Sequence, residues 1–284
     1  MNILTWNIQA TKGCDGRFDL NRIVSHIKQY GELDIICLQE ISRNIPDLNS
    51  DDQSTLIAEY FPNHAPVWGP GFSAPNAQSN NSEFGNLTLA RRRLLVNSRV
   101  HILPSPAVKE LQMTRTMVET IIRTDASVAA DNISLFNTHL AFHSSMERVQ
   151  QLQRLTQLRD QVMTKAGSDL ASGLWGPYNY EHSCSAVILC GDLNTGLDTD
   201  EYNDHIANRQ WVDCWTAQPD AGAGTHKKRL PTCGCFDSSQ WPEGAHTRDF
   251  FLASDNISDK VVRVDVDVDV DASDHQPVFM EISL

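Results

Sequence analysis

The chain has no apolar stretch near the roughly twenty residues that cross a bilayer, which argues against a helical membrane protein. Its first residues, Met1-Asn2-Ile3-Leu4-Thr5-Trp6-Asn7, show neither a basic n-region nor a small-residue cleavage site, so a cytoplasmic location is expected. Positive charge is scarce: 23 Lys and Arg against 36 Asp and Glu give a net charge of −13. A broadly acidic surface repels a polyanion unless cations or a local basic patch intervene, which argues against tight unspecific duplex binding but leaves open a nuclease with a local site. No basic, aromatic-interleaved insertion of the kind that grips nucleic acid is present. The seven cysteines are irregularly spaced and odd in number, which argues against a disulfide framework. Cys37 and Cys190 lie in apolar runs, where a thiol behaves as a small hydrophobe. Cys233-Gly234-Cys235, with His226 and His246 nearby, matches no usual zinc spacing.

What is present suits a folded chain with a large core: 284 residues, 40% hydrophobic and 21% charged. One domain spanning residues 1–284 is expected. Ile3–Trp6 reads as a strand, and Asp19 as the N-cap of a helix with Leu20, Ile23, Ile27 and Tyr30 on one face and Gly31 as its stop. Residues 33–38 read as a buried strand and 51–61 as a second helix. Four prolines and several Gly or Asn clusters make 62–85 a long surface loop that shapes substrate access. Separate strands follow at 86–91, 94–96, 100–103, 117–123 and 133–140. Val149, Leu152, Leu155, Leu158 and Val162 give 144–165 a helical core stripe. A Gly, Ser and Tyr-rich connection (166–183), a strand (186–190), a helix (199–208) and a second irregular excursion (216–246) come next. Late strands are expected at 248–253, 261–270 and 277–282, the middle one alternating Val264, Val266, Val268 and Val270 with Asp265, Asp267, Asp269 and Asp271. That row of carboxylates reads as solvated and as a guard against edge pairing.

Several of these runs end in polar residues. Glu40 closes Cys37-Leu38-Gln39-Glu40 and Asn7 closes the first strand; side by side they could hold one octahedral Mg²⁺ through hard oxygen ligands. Taken singly, Glu40 reads equally as a strand-end charge in water and Asn7 as a turn former. Gly191-Asp192-Leu193-Asn194 follows a buried run and places an acid and an amide on one face, able to hold a water and a phosphate oxygen, or to form a tight turn. Ser273-Asp274-His275 sets an imidazole beside a carboxylate, and Asp249 could fix that imidazole's tautomer from a neighbouring strand end. His139 ends Asn137-Thr138-His139, where a lone histidine is more often structural. Phosphate ester hydrolysis needs charge neutralised on the phosphoryl oxygens, an aimed water and help for the leaving oxygen, and these tips together supply all three.

In this order and context the segments resemble the endonuclease/exonuclease/phosphatase superfamily, from Trp6-Asn7 to Asp274-His275 and including Phe84-Gly85-Asn86-Leu87-Thr88-Leu89-Ala90-Arg91 and Arg248-Asp249-Phe250-Phe251-Leu252. The resemblance implies an α/β fold, a four-layer α/β/β/α sandwich of two mixed β-sheets flanked by helices, with the site at one end. It implies Asn7, Glu40 and Asp274 around a Mg²⁺ (or Mn²⁺), Asp192 and Asn194 orienting water and phosphate, and Asp249 with His275 as an Asp-His pair. His139 matches a histidine of the sphingomyelinase, inositol-phosphatase and deoxyribonuclease I branches. Arg115 matches a phosphate-contacting arginine of some members, and reads equally as a strand-edge charge. Gln9 stands where abasic-site nucleases carry an acid, which counts against abasic-site repair.

The expected activity is divalent-metal-dependent hydrolysis of phosphoester bonds by in-line water attack, as a phosphodiesterase or nuclease or as a small-molecule or lipid-headgroup phosphatase. The expected partner is the phosphoester itself, a nucleic acid, a nucleotide or a phosphorylated small molecule, and no protein partner is evident. The rival from another class is a catalytically silent scaffold of the same fold that binds a partner or an anionic ligand.

Overall fold

The computed structural model describes residues 1–77, 79–124, 132–166, 176, 182–208, 211–219 and 228–284. Most of the 166–183 connection, part of the 216–246 excursion and His226 lie outside these residues. Twelve strands among the described residues form two six-stranded sheets. In the first, β11 (Val261–Val266), β12 (Val278–Ile282), β1 (Asn2–Asn7), β2 (Ile35–Arg43), β4 (Asn81–Arg91) and β3 (His64–Pro75) lie in that order. In the second the order is β5 (Leu95–Ile102), β6 (Thr116–Arg123), β7 (Asn132–His139), β8 (Ala186–Asp192), β10 (Asp249–Ser254) and β9 (Trp211–Asp213). Both sheets are mixed: β1 with β2 and β7 with β8 run parallel, and the other pairs are antiparallel.

The period of two along the strands builds the layers. Ile3, Ile35, Cys37, Leu135, Ile188 and Cys190 face the core between the sheets. Their neighbours Leu4, Ile36 and Leu38 face α1 (Leu20–Gln29) and α2 (Gln53–Glu59), while Phe136, Val187 and Leu189 face α3 (Ser145–Thr164). The result is the four-layer sandwich. The Asp19 side chain accepts from the Arg22 N–H at the start of α1, and Ser144 accepts from Glu147 at the start of α3, so both helices begin at the expected caps. All seven cysteines are unpaired, and the Cys233 thiol faces the His246 carbonyl at 3.6 Å. No helix among the described residues is long and apolar enough to cross a membrane.

Residues 62–85 are not a loop. Within them, His64–Pro75 form β3, the edge strand of the first sheet, and residues 81–85 begin its partner β4. An edge strand tolerates Pro66 and Pro70 because the missing N–H would face away from the ladder. The glycines serve close approach: a Cβ on Gly85 would lie 2.2 Å from the Gly69 carbonyl oxygen, and one on Gly71 2.2 Å from that of Thr114. Residues 94–96 and 100–103 belong to one strand, β5, interrupted by a register shift between Leu95 and Asn97. The valine-aspartate alternation leaves the sheet after Val266, where Asp267 takes over the chain, accepting from the Asp269 N–H through Oδ1 (3.4 Å). Val270 accordingly packs in the outer core beside α1, not between the sheets.

Candidate active site

The two parallel pairs end side by side, with Asn7 opposite Gln39 in β1/β2 and His139 opposite Asp192 in β7/β8. A buried amide network beneath them ties the sheets together. Gln39 donates from Nε2 to Thr5 Oγ1 (3.0 Å) and Asn137 Oδ1 (2.7 Å), and Asn137 donates to the Leu87 carbonyl (3.1 Å). Glu40 does not end its strand: β2 continues to Arg43, and a bulge between Leu38 and Ile41 turns Glu40 to φ +56°, out of the ladder and into the cleft. Asn194 is also left-handed, at φ +49°. Two non-glycine residues in this sparsely populated region flank one cleft, which is where folds concentrate such strain.

All nine residues singled out in the sequence come together here. Asn7 Nδ2 donates to Glu40 Oε1 (3.1 Å) and to Asp192 Oδ2 (3.0 Å); both carboxylates only accept, so the amide nitrogen faces them. Its oxygen accepts from the Gln9 N–H at 3.1 Å. Asp192 Oδ1 accepts from the Asn194 N–H (2.9 Å), and Oδ2 has His139 Nε2 at 3.3 Å and His275 Nε2 at 3.6 Å. His275 Nδ1 lies 2.8 Å from Asp249 Oδ2, the Trp6 indole N–H donates to the His275 carbonyl (2.9 Å), and Ser273 donates to the Asn7 carbonyl (2.8 Å). Arg115 reaches His139 Nδ1 from the other side at 3.1 Å. It is therefore a buried site residue, not a strand-edge charge.

The two imidazoles are pushed in opposite directions. Burial, then the charges of Arg115 and His275, hold His139 well below the usual histidine value. Arg115 can only donate, so Nδ1 of the neutral ring accepts and the proton sits on Nε2, facing Asp192 Oδ2 at 3.3 Å; Asn194 Nδ2, a donor that serves the Leu140 carbonyl, lies 3.0 Å from the same nitrogen and does not accept that proton. Around His275 burial works against the charged ring, but the carboxylates of Asp249, Asp192 and Asp274 outweigh it and raise its pKa well above the ordinary value. Burial and then the Asp274 charge push Glu40 up to about 7, although 26% of its side-chain surface reaches the cleft. Asp192 is raised by burial, with Asp249 adding to it and His275, the Asn194 N–H and the Asn7 amide pulling back.

This donor set fits a hard divalent cation. Glu40 is protonated more readily than an ordinary carboxylate through burial first and the nearby Asp274 charge second, and Asp249 Oδ1 is buried without a hydrogen-bond partner. Asp192, Asp249 and His275 form a further group able to hold a cation, their ligand atoms all within 4.8 Å of one another.

Sequence reasoning gave no role to Gln39 or Asn137, although a polar residue inside an otherwise apolar strand was a visible signal. It also missed Gln240 and Trp241, which both donate to Asp274 Oδ2 (2.7 and 3.1 Å) from the second excursion. That stretch has no periodicity to mark them.

Two facing mixed sheets with an acid and imidazole cluster at one end define a deoxyribonuclease I-like sandwich. The chain belongs to the endonuclease/exonuclease/phosphatase family, whose sequence model matches residues 4–275. Among solved structures it is similar to an endonuclease/exonuclease/phosphatase from Beutenbergia cavernae, with 21% identity, a TM-score of 0.68, and coverage of 99% of this chain and 70% of that one. It is similar also to the mannosyl-6-phosphatase Bt3783 of Bacteroides thetaiotaomicron, with 16% identity, a TM-score of 0.68 and full coverage of both chains. The human Nocturnin catalytic domain with bound sulfate gives 17% identity and a TM-score of 0.62, covering 99% of this chain and 93% of that one. No curated protein matches by sequence. At these identities the structural likenesses show the fold, and the family supports phosphoester hydrolysis as the general class of reaction.

Proposed function

We propose that the chain is a divalent-metal-dependent phosphoester hydrolase, a single domain in which Glu40 and Asp274, with Asn7 in support, hold Mg²⁺ or Mn²⁺. The observation that carries this reading is the convergence of two buried imidazoles on one carboxylate, with Nε2 of His139 at 3.3 Å and Nε2 of His275 at 3.6 Å from Asp192 Oδ2. When bound, the cation neutralises charge on the phosphoryl oxygens. Asp192 is the acceptor for the attacking water, its carboxylate held in place by the Asn7 amide and the Asn194 N–H. His275, charged and oriented by Asp249, donates from Nε2 to the phosphate as negative charge develops. His139, neutral and with its Nε2–H fixed by Arg115, donates at the leaving oxygen or a phosphate oxygen, with the Asn194 amide beside it. Arg115 adds positive charge behind this donor.

A silent scaffold is disfavoured because such a cluster carries repulsion among Glu40, Asp192, Asp249 and Asp274 that a mere binding module has no use for. The mannosyl-6-phosphatase neighbour makes sugar phosphates a natural first substrate class, and the net charge favours small or single-stranded esters over duplexes. The test is a panel of bis-p-nitrophenyl phosphate, sugar phosphates, nucleotides, nucleic acids, phosphoinositides and sphingomyelin, assayed with Mg²⁺ and with EDTA. Mg²⁺-dependent turnover of at least one ester is expected. Turnover unchanged by EDTA, or none on any ester, would overturn the reading.

A further inference from the structure

The excursion between Thr232 and Arg248 has no part in the chemistry above, yet it is built into the centre. Thr232 Oγ1 accepts from the Arg248 and Asp249 N–H groups (2.9 and 3.0 Å), and the Thr232 carbonyl accepts from the Gln276 N–H (2.8 Å). Cys233 bridges to both His246 and His275. The base of the excursion is thus fastened to the start of β10 and to the segment that bears Asp274 and His275.

From that base Trp241 folds back and is 2% exposed. Its indole N–H donates to Asp274 Oδ2 (3.1 Å), and its ring meets those of His275 and His246 edge-on at 5.7 and 5.0 Å. Gln240 donates to the same oxygen at 2.7 Å and accepts at Oε1 from Gln9 Nε2 (3.1 Å), which ties the strap to the turn leaving β1. The other oxygen, Oδ1, has the Ser273 hydroxyl at 3.3 Å, but that hydroxyl's single proton has a shorter acceptor in the Asn7 carbonyl at 2.8 Å. Two donors therefore pin one oxygen of Asp274 and leave the other to the centre.

We propose that Gln240 and Trp241 are positioning residues for the cation site, setting how tightly it takes a divalent ion by fixing the Asp274 carboxylate before the ion arrives. Partners that orient a metal-side carboxylate are worth about ten- to a hundredfold in metal affinity. The inference rests on the cation reading above, and the experiment separates the two. Mn²⁺ binding to the full chain is measured by calorimetry for wild type, Trp241→Phe, which keeps a ring but loses the N–H, and Gln240→Ala, at an exposed position. Melting temperatures are recorded in EDTA, and kcat as a function of Mn²⁺. Each variant is expected to bind Mn²⁺ about tenfold more weakly than wild type, with a metal-free melting temperature close to wild type and kcat recovered at high Mn²⁺. Wild-type Mn²⁺ affinity in both variants overturns the proposal while leaving the cation reading intact. So does a rate loss that added Mn²⁺ does not restore. If Trp241→Phe fails to fold, Gln240→Ala alone decides. A wild-type chain that takes up no Mn²⁺ removes the cation reading and this inference together.

Discussion

Each sheet contributes one parallel pair to the centre, and the two end differently. In the first sheet β2 runs past the centre and exposes Glu40 on a bulge, with 26% of its side-chain surface in the cleft. In the second, β7 and β8 stop at His139 and Asp192, whose side chains are 7% and 2% exposed and locked by Arg115, Asn194 and Asn7. An acid with a pKa near 7 at an open edge can exchange a proton for a cation from solvent. Sealed groups keep a fixed aim. On the function proposed above, metal capture falls to the first sheet and proton and phosphate handling to the second, and each half can be broken separately.

The largest expected effect tests that division directly. Asp192→Asn keeps the shape and removes the acceptor, so kcat on an activated phosphodiester should fall by about 10³-fold or more, with no recovery at high Mg²⁺. Glu40→Gln should instead weaken apparent Mg²⁺ affinity and regain part of its rate as Mg²⁺ is raised. A steady-state metal titration of both variants checks this. Wild-type rates in Asp192→Asn, or identical losses in both that metal leaves untouched, would dissolve the distinction.

That asymmetry was only half legible in the sequence. The tips of buried strands were visible because apolar runs ending in Asn7, Glu40, His139 and Asp192 leave few other places for those side chains to go. The open edge was not, because a bulge at Glu40 is a backbone event with no composition of its own, and β2 therefore looked as though it ended there. The hairpin of β3 and β4 was hidden for a related reason. Pro66, Pro70 and the glycines read as loop formers, but at a sheet edge a proline costs no ladder bond, and glycine here permits backbone contact. Asp267 hid the opposite way, continuing a strand pattern in sequence while capturing the backbone to end the strand. Gln240 and Trp241 carry no pattern at all, since they reach Asp274 across 34 and 33 residues through contacts only the folded chain creates.

A second test uses pH and is of intermediate size. Glu40 and His275 both bind a proton more readily in the folded chain than in the unfolded one, Glu40 through burial and Asp274, His275 through its carboxylates outweighing burial. Each contributes stability that is fully present below its unfolded pKa and lost as the pH rises through its folded value. For Glu40 that window runs from about 4.5 to about 7, and the loss is at most about 3 kcal/mol. Glu40→Gln cannot titrate there. In EDTA, urea unfolding from pH 4.5 to 8 should therefore show wild type losing stability relative to Glu40→Gln as the pH rises, and saturating Mg²⁺ should cancel the trend. A pH-independent difference would mean that the edge acid is not under charge stress and has no reason to recruit a cation.

The smallest effects decide whether such differences belong to the centre or to the sheets that carry it. The two helical layers offer matched perturbations: Asp19 caps α1 on the first sheet and Ser144 caps α3 on the second, each accepting one N–H from its helix (3.1 and 3.4 Å). Asp19→Ala and Ser144→Ala should each cost about 1 kcal/mol in urea unfolding. If the second sheet's role comes from the sealed hydrogen bonds around Asp192 and His275, loosening its helix by that amount should leave kcat at saturating Mg²⁺ within about twofold of wild type, as Asp19→Ala should. A rate loss confined to Ser144→Ala would instead place the difference in the stiffness of the α3 layer, because that cap lies four residues beyond Leu140, whose carbonyl accepts from Asn194 at 3.0 Å. Equal small stability losses with unchanged rates would return the contrast to the strand ends themselves: one with Glu40 open to the cleft, the other with His139 and Asp192 closed off from it.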